Sequence, residues 1–125
     1  MGKLPKIVAQ LGLTGALLLA GCKPGSTAPA PLPLNQIPAA MHKAFSNSPS
    51  ETKELVEKML GAVQTTNYSA AYQTGQAINS TAGITKEQLR TTSRALLTIY
   101  SGLQEASAQG DQAASAIISY QKHTH

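Results

Sequence analysis

The spacing of apolar and polar residues changes three times along the chain, and each change marks a boundary. From Ile7 to Ala20 the residues are apolar apart from Gln10 and Thr14, with Lys3 and Lys6 ahead of them. That run is short of the roughly 20 apolar residues of a membrane-spanning helix. A cationic start, an apolar middle and a small-residue end form the layout of a secretory signal. From Lys23 to Asn47 periodicity is lost, and Pro24, Pro29, Pro31, Pro33 and Pro38 punctuate Ala, Gly, Ser, Thr and Leu. Alternating prolines favour extended polyproline II and oppose a long helix. Residues 22–47 are therefore predicted to be a disordered Pro-rich linker. Its stiff 23–38 part would reach roughly 50 Å at about 3.1 Å per residue.

From Ser48 onward the apolar positions recur at helical spacing, and residues 48–122 are predicted to be one all-α domain. Ser48-Pro49-Ser50-Glu51 reads as a helix start, with Ser48 as N-cap and Glu51 completing a capping box. Leu55, Val56, Met59, Leu60 and Val63 form its apolar stripe. A second helix starts near Asn67, carries Ala71, Tyr72, Gly75 and Ile78 on one side, and is broken by Asn79 to Gly83. Thr85-Lys86-Glu87-Gln88 is another capping box, with Ile84 and Leu89 spaced as a hydrophobic staple. The third helix has Leu89, Leu96, Ile99, Leu103 and Ala106 along one seam. Gly110-Asp111 separates it from a fourth, with Ala113, Ala114, Ile117 and Ile118 facing inward. The expected fold is a small antiparallel bundle of about four helices, or two stacked helical hairpins. Residues 123–125 are expected to be a disordered tail.

The apolar start ends on Leu19-Ala20-Gly21-Cys22, which holds the chain's only cysteine. These residues resemble the lipobox of bacterial lipoproteins. The resemblance implies that Leu19, Ala20 and Gly21 are read by a dedicated signal peptidase, which removes residues 1–21. Cys22 then carries a diacylglycerol and an N-acyl chain as its only cofactor-like groups. One acyl chain holds a protein marginally, and two or three hold it stably. The alternatives are a buried small hydrophobe in an uncleaved anchor and a free thiol after ordinary cleavage. In enterobacterial members, Asp after the cysteine retains the protein in the inner membrane. Lys23 in that position implies sorting to the outer membrane, periplasmic side, if the host has one.

A second resemblance lies in the helical part. Shifted by 43 residues, Val56 meets Ile99, Leu60 meets Leu103 and Val63 meets Ala106. The same shift lays Asn67-Tyr68-Ser69-Ala70-Ala71 over Gly110-Asp111-Gln112-Ala113-Ala114. This resembles tetratricopeptide-like helical hairpins, in which a turn-former precedes the second helix and a small residue permits close packing. The usual period is about 34 residues, the aromatic of the first helix is missing, and only two units fit. The resemblance implies stacked hairpins across 48–122.

Composition changes this picture little. The chain carries ten Lys and Arg against six Asp and Glu. Removal of Lys3 and Lys6 with the signal leaves eight basic against six acidic side chains, so half of the apparent positive charge belongs to the discarded segment. Lys86, Arg90 and Arg94 recur every fourth residue, with Lys122 elsewhere; a solvated helix face is their ordinary reading, and phosphate or acidic lipid the sharper one. With no aromatic interleaving, no nucleic-acid partner is expected. The small domain has no Trp, and no cysteine remains for a disulfide staple. Tyr68, Tyr72, Tyr100 and Tyr120 are expected at the core edge with their hydroxyls in water.

No catalytic constellation is visible. His42 falls in the linker, and His123 and His125 sit at the end with no carboxylate nearby to complete a metal site. Glu51, Glu54 and Glu57 complement a helix dipole and form no spaced acid–base pair. No nucleophile motif or phosphate-cradling loop appears. Catalytic residues, metal and small-molecule substrate are therefore all expected to be none, and the protein is expected not to be an enzyme. The expected function is a lipid-anchored envelope lipoprotein whose helical domain binds a protein partner. The alternative is a structural or membrane-active envelope protein whose amphipathic helices self-associate or bind lipid.

Overall fold

The first helix begins inside the stretch that reads as a linker. In the computed structural model, which describes residues 29–124, a short 3-10 turn (Leu34–Gln36) leads into five helices. These are α1 (Ile37–Ala44), α2 (Ser50–Gln64), α3 (Tyr68–Asn79), α4 (Lys86–Ala108) and α5 (Gln112–Thr124). The described residues contain no strand, and the all-α expectation stands. Five helices replace the expected four because Ile37, Met41 and Phe45, four residues apart, make a complete helical stripe, and all three are buried. Pro38 is tolerated because it falls in the first turn, where its missing N–H has no intrahelical partner. His42 and Lys43 in the last turn complement the helix dipole.

The linker expectation is therefore corrected from residue 30 onward. Prolines do hold an extended segment there, but it is laid along α4. Arg94 Nε donates to the Ala30 carbonyl at 2.8 Å, and Leu32 N–H donates to the Arg94 carbonyl at 3.2 Å. The Thr98 hydroxyl donates to the Leu32 carbonyl, and the Leu32 side chain is buried. Burial of a large apolar side chain contributes about 1.5–3 kcal/mol. Four of them between 32 and 45 outweigh the prolines' preference for a solvated strap.

Within α2, Val56, Met59, Leu60 and Val63 are buried together with Thr52. Its N-cap is Pro49, with no side-chain cap bond, so the expected Ser48–Glu51 box does not form. The Ser48 hydroxyl instead accepts from Gln88 Nε2 at 3.0 Å. That nitrogen also donates to the Ala44 carbonyl at 3.1 Å, which satisfies the end of α1. The Thr85–Gln88 capping box of α4 forms as expected, at 3.0 Å in both directions. One glutamine thus caps α4 and ties α1 and the loop after it to the same point.

The turns α2–α3 and α4–α5 are built alike. Thr66 and Gly110 both adopt positive φ, at 57° and 100°. Asn67 N–H reaches the Ala62 carbonyl and Thr66 N–H the Val63 carbonyl; Asp111 and Gly110 repeat both bonds to Ala106 and Ser107. Each is a Schellman ending. Each last residue then caps the next helix, Asn67 from Ala70 N–H at 3.2 Å and Asp111 from Ala114 N–H at 3.1 Å. The helices before the turns match at the expected offset of 43, with buried Val56 over Ile99 and Leu60 over Leu103. The turn bonds match one residue later, because the second hairpin holds one more residue before its turn.

Successive helices pack side by side, and α1 lies against α4 and α2. Between α3 and α4 the approach is close. A Cβ on Gly102 would lie 2.8 Å from the Tyr68 ring, and one on Gly75 2.6 Å from Leu96 Cδ2. The buried stripe of α4 is Thr92, Ala95, Ile99 and Leu103. Leu89 is 41% exposed, which removes it from the expected seam, and Leu96 and Ala106 sit at the edge. The covered arc is centred on Thr92 and Ala95, and Leu89 projects outside it. In α5 only Ala114 is fully buried; Ile117 and Ile118 are half-buried and Ala113 faces solvent, against expectation.

Candidate interaction surface

The residues that the sequence singles out for anchoring, Leu19, Ala20, Gly21, Cys22 and Lys23, lie outside the described residues. What the structure does place is Pro29, the first described residue. Pro29, seven residues after Cys22, shares a surface hollow with Lys86, Glu87, Leu89, Arg90 and Ser93 at the start of α4.

A groove of about 630 Å³ runs between α1 and α2 and ends at the start of α3. Leu34, 45% exposed, stands on one rim, while Leu60 and Val63 lie nearly closed beneath it. Tyr68 closes one end. Another stretch of wall carries His42 and Glu57, whose Nε2 and Oε2 are 2.7 Å apart. Both side chains are more than half exposed, so the pair adds little to stability. Chemically this is an apolar slot with one polar wall, suited to an apolar side chain flanked by a hydrogen-bonding group. The groove is not legible in the sequence, because His42 and Leu34 fall in the Pro-rich stretch that reads as a linker. The usable signal was the Ile37–Met41–Phe45 spacing, which places His42 and Pro38 on the outward side of a helix.

A second hollow of about 400 Å³ lies over Tyr72, Leu96, Leu97, Tyr100 and Lys122. The Tyr72 and Tyr100 rings are 5.7 Å apart and inclined at 49°, a geometry that aromatic pairs favour. Burial, and to a lesser degree the neighbouring Tyr100 hydroxyl, push the Tyr72 hydroxyl above its ordinary pKa of 10.0. Tyr68 is half-buried against Gly102, and Tyr120 is 66% exposed.

Of the basic residues, Lys86 and Arg90 are exposed, whereas Arg94 is engaged with Ala30. Glu57 meets His42 across the groove, and Glu51 sits in the first turn of α2. His123 lies within α5, where its Nδ1 donates to the Ser119 carbonyl at 2.8 Å. The tail expectation is thus corrected for residues 123 and 124, which continue the helix because each adds one backbone hydrogen bond to an existing ladder. Among the described residues, no three of His, Cys, Asp or Glu come together as a metal site. No helix among them is long and apolar enough to cross a membrane.

Compared with protein-family models, with curated proteins and with solved structures, the chain finds no match.

Proposed function

We propose that this chain is a lipid-anchored lipoprotein of the cell envelope whose helical domain binds a protein partner through the α1–α2 groove. The anchoring half rests on Leu19-Ala20-Gly21-Cys22 at the end of the apolar run. With Lys23 next to it, the resemblance favours the periplasmic side of an outer membrane. The binding half rests on one observation, the exposed Leu34 at the rim of a groove floored by Leu60 and Val63. The reading is a binding role, in line with a sequence that carries no nucleophile motif.

A photo-crosslinking residue at Gln64, an exposed position on the groove, tests the reading in cells that express the full chain. One reproducible adduct is expected, lost in Leu34→Asp while the thermal melt is kept. An unchanged adduct pattern in Leu34→Asp would sink the groove. Cys22→Ala should abolish acyl labelling and release the protein from membranes; retained acylation would sink the anchor.

A further inference from the structure

The outer side of α4 is a second exposed face, and it shares no residue with the groove. Lys86, Leu89, Arg90 and Leu97 lie there within one arc of the helix. Leu89 and Leu97 are 41% and 44% exposed, two of the four large apolar side chains exposed among the described residues. Leucines beside cations on one side of a helix form the surface that suits a headgroup layer. Glu87 is the only acidic residue in the hollow at its start.

The first described residue lies on this same face. Pro29 borders Lys86, Leu89, Arg90 and Ser93. Behind it the segment is fastened to α4 by the Arg94–Ala30 and Leu32–Arg94 hydrogen bonds. From Pro29 back to Cys22 there are seven residue steps, about 25 Å when fully extended. That is half of the reach of a free 23–38 strap, because the segment from Ala30 onward is packed onto the domain. A domain of this size has a radius of gyration of about 12 Å. An acylated Cys22 therefore holds the domain within about its own diameter of the bilayer, and the α4 face is the one joined to the anchor.

We propose that the Lys86–Leu89–Arg90–Leu97 face of α4 rests on the anionic headgroup surface of the membrane that holds Cys22. This rests on the anchor reading above. Two cations and two leucines bind a membrane weakly on their own. The short tether supplies the missing affinity by keeping the face at high effective concentration over the lipid. The α1–α2 groove contributes no residue to this face and stays open to a partner.

The test uses the full chain purified from membranes, with acylation of Cys22 checked by mass spectrometry. An environment-sensitive fluorophore is placed on Ser101→Cys, next to Leu97 on the α4 face, or on Gly61→Cys, an exposed α2 position where a Cβ meets nothing. The protein is reconstituted in phosphatidylglycerol-rich or pure phosphatidylcholine vesicles that carry headgroup quenchers. Quenching at 101 should exceed that at 61 several-fold in the anionic vesicles. Each cation near an anionic surface is worth about fivefold in binding, so Lys86→Gln with Arg90→Gln should remove most of the difference. About 0.5 M salt should do the same by screening. Equal quenching at both sites on an acylated chain overturns the orientation and spares the anchor. Shielding of position 101 that follows protein concentration and is indifferent to lipid assigns the face to a second copy and overturns it too. An unacylated Cys22 overturns the anchor and the orientation together.

Discussion

The hairpins α2–α3 and α4–α5 share a turn and differ in what the turn closes. Both end their first helix with the same pair of Schellman bonds, and both reuse the last turn residue as the next N-cap. Around the first turn, however, Val56, Met59, Leu60, Val63, Ala71 and Ile78 are all buried, and they join Ile37, Met41 and Phe45 in one core. Around the second, α4 buries Thr92, Ala95, Ile99 and Leu103, but α5 adds only Ala114 and the half-buried Ile117 and Ile118. A turn is a local object that a few residues can specify. The strength of a hairpin depends on the apolar surface packed behind it, and that is set by which other elements come to lie there. Here α1, from a stretch that reads as linker, packs on both α4 and α2 and joins their core, and α5 lies at the open end.

Core truncation should separate the two hairpins most. Ile78→Ala, fully buried in the first hairpin, is expected to cost about 2–5 kcal/mol in urea denaturation of the whole domain. Ile117→Ala, at the edge of α5, should cost well under half of that. Equal losses would mean that both hairpins are equally embedded, and the contrast would fail.

The next effect is smaller and acts on the turns alone. Thr66 holds a φ of 57°, where a β-branched residue is strained, and Gly110 holds 100° without strain. Thr66→Gly should raise stability by about 1 kcal/mol and Gly110→Thr should lower it by a similar amount. Chemical denaturation of the two variants reads both signs. Equal and opposite shifts would show that the turns are interchangeable modules on unequal cores.

The smallest effect concerns the seam between the hairpins, where Tyr72 of α3 meets Tyr100 of α4. Burial and Tyr100 raise the Tyr72 pKa above 10.0, so the folded state keeps that proton when the unfolded chain has begun to lose it. The associated stability is complete below pH 10 and is lost as pH rises through the folded pKa. Tyr72→Phe should flatten this decline in melts taken above pH 9. A decline of unchanged slope would assign it to other groups.

Local chemistry carried most of what was legible in the sequence. Thr85 with Gln88, Asn67 and Asp111 each cap the helix that their spacing announces, because a cap needs only one side chain and the amide three residues on. Ser48 shows the limit. Its pattern as an N-cap was sound, but its hydroxyl is taken by Gln88, forty residues away. Leu89 likewise fits a helical seam by spacing and projects outward, since no neighbouring helix covers that arc. The groove was hidden for a related reason: Leu34, Pro38 and His42 become a wall only when α1 is docked.

By itself the sequence determined that residues 48–122 are helical and where α3, α4 and α5 begin, because periodicity and capping act within a turn or two of the residues concerned. It also holds the Leu-Ala-Gly-Cys box on which the anchor proposal rests. The tertiary structure alone decided that Leu32, Ile37, Met41 and Phe45 join the core, that α4 keeps two leucines and two cations outside, and that Pro29, the first described residue, lies on that same side. Those outcomes depend on long-range burial. Proline content and apolar spacing near residue 37 pull in opposite directions, and only the surface offered by α2 and α4 settles which prevails.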